Sequence, residues 1–261
     1  MRVGDAAPLK NSVCGSSPHP LIPETSASLR ARISGALYVL CIGCGFFAEM
    51  VVRGRLVVYS DAAMTAHNIV AAPGLYRAGF FADVSAMTLG VLSSVLLYTL
   101  LKVVSRGLAL TVLVLDVISN AVSISGSILL FAPLAILQGD GYLSVLSAPQ
   151  LGSLALLSIK LYESVYAISL GLFSGSCLLS GYLIFRSTFL PRAIGVLLAL
   201  AGICYLLNTF VVLMPKGFAD YLFPWIFVPI LVGEGTLALW LLIAGVNTAK
   251  WDAIARTQTR A

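Results

Sequence analysis

The sequence predicts an all-α membrane protein, a polytopic transmembrane bundle of about six spanning helices with both termini cytoplasmic. Three observations carry this expectation. Of 261 residues, 59% are hydrophobic and the mean hydropathy is +0.98. Only 10% are charged, against about 25% in a soluble domain, which is too few to build a water-facing surface. The Lys and Arg residues punctuate the ends of apolar runs, as topology charges do. They form no dense patch, so the net charge of +5 does not point to nucleic acid, and the bilayer is the expected environment.

Residues 1–29 are rich in Pro, Ser and Gly and lack the apolar core of a secretory signal. They are expected to be a disordered N-terminal tail. A transmembrane domain of six helices is expected over 30–248, followed by a short cytoplasmic tail over 249–261. A spanning helix needs roughly 20 apolar residues, and six segments meet that length, approximately 31–52, 75–101, 107–131, 152–184, 191–214 and 223–246. Pro191 suits the first turn of the fifth helix. Pro215, Pro224 and Pro229 mark the approach to the sixth. Residues 53–74 read as a loop with room for a short amphipathic helix, and 132–151 as a second loop broken by Gly139, Gly141 and Pro149.

The basic residues set the orientation. An inner N-terminus places Arg2, Lys10, Arg30, Arg32, Lys102, Arg106, Arg186, Arg192, Lys250, Arg256 and Arg260 inside. It leaves Arg53, Arg55, Lys216 and Arg77 outside, a bias of 11 to 4 that favours cytoplasmic termini. Tyr98, Tyr182 and Trp251 then fall at the inner interface, and Tyr76, Tyr221 and Trp225 at the outer one.

No P-loop, nucleophile elbow or zincin motif occurs, and the two histidines are His19 and His67. Neither a cofactor nor a metal is implied. The five cysteines, Cys14, Cys41, Cys44, Cys177 and Cys204, form no disulfide framework. The Cys41–Cys44 pair lies within an apolar run and reads as packing. G-x-G-x-x-A occurs at Gly43/Gly45/Ala48 and Gly233/Gly235/Ala238 without the preceding strand that dinucleotide binding requires. Close helix packing is the expected use of these glycines. The stripe Ala167, Gly171, Gly175 is likewise expected at a helix contact.

Ionisable residues inside the spans are the informative feature, because a charge at mid-bilayer costs at least ~2.5 kcal/mol. Glu49, Asp83, Asp116, Lys160, Glu163 and Glu234 fall within predicted helices, joined by Asn120 and Asn208, with Arg77 at the outer rim. Counted inward from the outer ends at about 1.5 Å per residue, they occupy the outer half and the midplane. The expectation is a polar cavity opening outward. Its cluster is Glu49, Arg77, Asp83, Asp116, Lys160, Glu163, Asn208 and Glu234, with Lys160 as the intramembrane cation, able to pair with Glu163 at i,i+3.

The stretch from Ala31 to Val84, ARISGALYVLCIGCGFFAEMVVRGRLVVYSDAAMTAHNIVAAPGLYRAGFFADV, resembles the opening of the bacterial membrane family known as domain of unknown function 4386. GYLIFRSTFLPRAIGVLLALAGICYLLNTF and GEGTLALWLLIAGVN resemble its later motifs, and the likeness runs over about 30–248. It implies a six-helix protein of the bacterial inner membrane, without an assigned activity, cofactor or substrate. The residues matching the motifs are Gly35, Tyr38, Glu49, Arg53, Asp61, Asn68, Arg77, Asp83, Gly181, Arg186, Ser187, Pro191, Gly195, Glu234 and Trp240. The fourth helix departs from the pattern, carrying Lys160, Tyr162 and Glu163 where a His-containing polar motif is expected.

Three functions compete on this evidence. The first is binding or movement of a small ion or solute through the polar cavity. The second is an intramembrane enzyme on a lipid-type substrate, with Glu49, Asp83 and Glu234 as acid/base candidates. The third is a regulatory or partner subunit without catalysis.

Overall fold

A computed structural model of the protein describes residues 26–139, 141–213 and 225–258. Every element described is helical. The expectations for Arg2, Lys10, Cys14, His19, Pro215, Lys216, Tyr221, Pro224 and Arg260, and for residues 1–25 of the tail, lie outside the described residues.

Helix α1 spans Ala27–Leu56, and its Phe47–Arg53 stretch is a π-helical turn. The short helix α2 spans Ala62–Ala71. There follow α3 (Pro73–Leu101), α4 (Arg106–Gln138) and α5 (Ala148–Arg186). The chain continues with α6 (Arg192–Leu213), α7 (Phe227–Ile243) and α8 (Thr248–Gln258). Among the described residues, α1, α3, α4, α5 and α6 are long and apolar enough to cross a membrane. Helices α7 and α8 pass the same test together, bent by 96°. The count is therefore five, or six with that bent pair.

The first four spanning helices are longer than the sequence predicts, whereas α6 and α7, among the described residues, are shorter than the expected 191–214 and 223–246. Helix α1 runs four residues past 52, α4 reaches Gln138 with Pro133 inside it, and α5 has 39 residues. At about 1.5 Å per residue, α5 is far longer than a hydrocarbon core of roughly 30 Å. The helix expected in the first loop is α2, capped by the Asp61 carboxylate, which accepts from the Met64 N–H at 2.9 Å. Ser26 caps α1 at Ala27, so the last residues assigned to the tail are helical, and Thr248–Gln258 is a helix where a plain tail is expected.

Six helices close into a ring. Helix α1 packs on α3, α3 on α4, α4 on α5, α5 on α6, α6 on α7, and α7 returns to α1. Glycine permits the close approaches. A Cβ on Gly181 would lie 2.6 Å from the Gly195 carbonyl oxygen, and one on Gly195 would lie 2.5 Å from that of Gly181. At the α6–α7 seam a Cβ on Gly233 would stand 2.6 Å from the Leu197 carbonyl oxygen. At the closing seam a Cβ on Gly35 would overlap the Leu242 N–H and lie 2.8 Å from the Ala238 carbonyl oxygen.

Other small residues behave differently. Gly43, Gly45 and Gly235 would place a Cβ in open space, so of the four glycines in the two G-x-G-x-x-A runs only Gly233 serves a close helix contact. In the α5 stripe, Gly171 faces Thr209, whose hydroxyl donates to the Ala167 carbonyl at 2.9 Å, whereas Gly175 meets Leu115 of α4.

Helix α8 folds across the end that carries both described chain ends. The Trp251 indole donates to the Leu100 carbonyl at 3.0 Å and lies beneath the Arg30 guanidinium, 5.3 Å from the ring centre. Arg30, Arg32, Lys102, Arg106, Arg186, Arg192, Lys250 and Arg256 gather at or near this end, hereafter the basic end.

The ring yields a prediction. Gly35→Ala and Gly195→Ala each force two backbones apart, and overpacking of this kind costs typically 1–3 kcal/mol. Both variants are expected to unfold at lower temperature in detergent than Gly43→Ala, which meets open space, as followed by tryptophan fluorescence.

Candidate functional site

The polar residues inside the ring fall into two layers. The first layer lies toward the α2 end. Arg53 is 6% exposed and sits at the close of the π-helical turn. Such a turn is a rare local widening of the helix, often found at functional sites. Its guanidinium donates through Nε to Glu49 Oε2 at 2.8 Å and through Nη2 to the same oxygen at 2.5 Å. Its Nη1 pairs with Asp83 on α3. Gly79, one turn before Asp83, meets the Val52 side chain so closely that a Cβ would lie 2.7 Å away. That approach lets α3 bring Asp83 to Arg53.

Helix α5 completes this layer. The Tyr162 ring lies under the Arg53 guanidinium at 5.7 Å and stacks on Tyr166 at 5.9 Å. The Tyr59 hydroxyl, in the loop after α1, is within hydrogen-bonding reach of the Glu163 carboxyl. Burial, with Glu163 beside it, pushes the Tyr59 hydroxyl well above the ordinary tyrosine range, so it remains a donor. The Glu49 side chain is 49% exposed, so this layer is open to its surroundings on one side.

The second layer lies deeper and draws on all six ring helices. Glu234 of α7 accepts from the Tyr205 hydroxyl of α6 at 2.9 Å, and Tyr38 of α1 is within reach of the same carboxyl. Asp116 of α4 accepts from the Ser94 hydroxyl of α3 at 2.6 Å, and Ser176 of α5 also faces it. Asp116, Glu234 and Cys177 surround Tyr38. In the ring order, α4 and α7 stand opposite each other, so two carboxyls approach from opposite walls with hydroxyls between them. Tyr166, stacked on Tyr162, lies within electrostatic reach of Asp83, Glu49 and Arg53 of the first layer and of Glu234 of the second.

Counted from the basic end at about 1.5 Å per residue, Ser94, Asp116 and Ser176 lie roughly 12–15 Å along the bundle. Asp83, and with it the Arg53 paired to it, lies roughly 27 Å along by the same count on α3, about one hydrocarbon thickness. The two layers therefore sit at mid-bundle and at the far rim.

The structure brings Glu49 and Asp83 together through Arg53, and places Asp116 with Glu234. Three other residues of the expected cluster, Arg77, Lys160 and Asn208, stand apart from these groups, while Glu163 joins the first layer beside Tyr59. Lys160 is exposed and makes no ion pair among the described residues, so the carboxylates' cation is Arg53 instead. Glu163 is nearest Tyr59 rather than paired with Lys160. Among the described residues, Arg77 is exposed on α3 without an ion pair, and Asn208 is buried on α6 without a side-chain hydrogen bond. His67 is exposed on α2, and no three His, Cys, Asp or Glu side chains among the described residues could hold a metal.

Sequence reading missed Arg53, Tyr38, Ser94, Ser176 and Tyr205 as site residues. The i,i+4 spacing of Glu49 and Arg53 is a signal of pairing that ending the first helix at residue 52 concealed.

The family model for a domain of unknown function, DUF4386, matches residues 33–245. The chain belongs to this family. No curated protein and no solved structure matches the chain. The DUF4386 match begins in the second turn of α1 and ends just past α7, so it covers the whole ring and both polar layers. Of the motif residues that carry the resemblance, Glu49, Arg53 and Asp83 form the first layer, Tyr38 and Glu234 belong to the second, and Gly35, Gly181 and Gly195 make the closest helix contacts.

A buried ion pair that loses one partner strands the other charge, at a cost of about 3–5 kcal/mol. Arg53→Met is expected to destabilise the protein by this order, and the double variant Arg53→Met/Asp83→Leu to recover most of the loss. Thermal unfolding in detergent of both variants and the parent checks it. Equal losses in the single and double variants would show that Asp83 does not depend on Arg53.

Proposed function

We propose that this membrane protein binds a small cation or proton at the mid-bundle layer and moves it along the bundle axis. One observation carries the reading. Asp116 and Glu234 are 3% and 8% exposed, on opposite helices of an apolar bundle, and no ion pair among the described residues includes either. Their partners are hydroxyl groups. A carboxyl held so requires a proton or a bound cation to offset its charge. The first layer differs, because Arg53 neutralises Asp83 there.

The route runs from the rim to the middle. Glu49 and Glu163 make the rim acidic, which draws cations, and Tyr166 leads from the rim toward Glu234. We place both termini on the cytoplasmic side of a bacterial inner membrane, following the excess of Lys and Arg at the basic end. The rim would then face outward. A lipid-directed enzyme has less support, since Glu49 and Asp83 are both committed to Arg53 and no nucleophile lies beside them.

Reconstitution into liposomes enclosing a pH-sensitive dye tests the reading. With an imposed proton or cation gradient, the parent protein is expected to give flux well above empty liposomes. Asp116→Asn and Glu234→Gln should reduce it at least tenfold. Parent flux no greater than that of empty liposomes, under both gradients, refutes transport.

A further inference from the structure

We propose that Asp116, Ser94, Ser176 and Asn120 form a site for one dehydrated monovalent cation of the sodium type at the seam of α3, α4 and α5. This deepens the reading above and rests on its assignment of the mid-bundle layer to cation binding; it adds which carboxyl holds the ion and which ion it is. The carboxyl of Asp116 uses only one of its oxygens. Oδ2 accepts from Ser94 at 2.6 Å, while Oδ1 is buried with no hydrogen-bond partner. An unsatisfied carboxylate oxygen in an apolar interior is costly. It is removed from water yet lies among groups that can donate lone pairs to a cation.

Those groups are oxygens. Ser94 and Ser176 flank the carboxyl from α3 and α5. Asn120, one turn along α4, donates its Nδ2 to the Asp116 carbonyl at 2.8 Å. Its Oδ1 is turned toward Gly90 of α3, where a Cβ would stand 3.5 Å away. Gly90 is one turn from Ser94, and the absence of a side chain there lets the Asn120 amide pack directly against the α3 backbone. Carboxylate, amide and hydroxyl oxygens are the ligands of hard cations.

Charge selects the valence. Asp116 supplies one negative charge. The other titratable groups around it are Tyr38, Cys177 and Glu234; the first two are neutral in their ordinary forms, and Glu234 is already bonded by Tyr205. One positive charge balances Asp116. A divalent ion would leave an excess charge in the bundle. Glu234, held by phenolic donors, lacks an unused buried oxygen of this kind.

The test uses the full chain, purified in detergent without sodium. Unfolding temperature is followed while NaCl replaces choline chloride at constant ionic strength. A ligand that binds only the folded state, at a hundredfold excess over its Kd, raises the midpoint by roughly 5–10 °C for a chain of this size. The parent and Lys160→Gln, a change at an exposed side chain outside both layers, are expected to show a saturable, sodium-specific rise, and Asp116→Asn to lose it. Should Asp116→Asn fail to fold, Ser94→Ala/Ser176→Ala is expected to move half-saturation at least tenfold higher. A parent with no sodium-specific rise overturns the site. So does an equal rise in Asp116→Asn, or an unchanged half-saturation in the serine double variant. The liposome assay fails separately: a sodium-specific rise without flux keeps the site and removes transport, whereas proton flux without the rise keeps transport and removes the sodium site.

Discussion

Arg53 is the buried guanidinium of the ring, and much of the α2 end is arranged around its need for acceptors. A guanidinium removed from water must be met by carboxylates and hydrogen-bond acceptors in good geometry, or the fold loses more than the pair returns. Here the π-helical turn ends on Arg53, Glu49 sits four residues earlier on the same helix, and Gly79 admits α3 close enough for Asp83 to meet the other edge of the fork. Tyr162 covers the face of the cation from α5. Three helices are thereby held at one point. The planar fork of arginine makes this possible, since a lysine ammonium offers no matching pair of edges to two carboxylates.

The mid-bundle layer follows the opposite rule. Its carboxyls have hydroxyl neighbours and no cation of the protein's own. Tyr38, Ser94, Ser176 and Tyr205 can each donate to a carboxylate and offer a lone pair to something else. A bundle built only for stability would gain by neutralising these acids or replacing them with apolar groups. The contrast between one neutralised layer and one left open is the physical basis for assigning structure to the first and ion binding to the second.

Several features were legible in the residues themselves. The five longest apolar helices and the α2 helix within the first loop follow from hydropathy, helix caps and proline positions, whereas the sixth span expected over 223–246 is the shorter α7 joined to α8 at a 96° bend. The ionisable residues were recognisable as exceptional because their cost in an apolar segment is large wherever they point. Their grouping was not recognisable. Counting depth from the outer ends placed Lys160 and Glu163 deep, but α5 overshoots the others and carries both toward its α2 end. Ending the first helix at 52 left Arg53 in a loop, when the π-helical turn carries it into the bundle. Tyr38 stood out only as a motif residue of the family resemblance, and Ser94 and Tyr205 gave no signal, since a single tyrosine or serine in an apolar helix has many bland uses.

Sequence alone determined that this chain belongs in a membrane, because hydrophobicity and charge scarcity are sums over residues and need no knowledge of contacts. It also determined which side chains would be costly to bury. Tertiary structure decided how those costs are met. Ring closure through Gly35, the opposition of α4 and α7, and the choice of Arg53 over Lys160 all depend on which helix faces meet. One residue of register turns a side chain by about 100°, so a single π-helical turn is enough to separate a loop cation from the partner of a buried carboxylate.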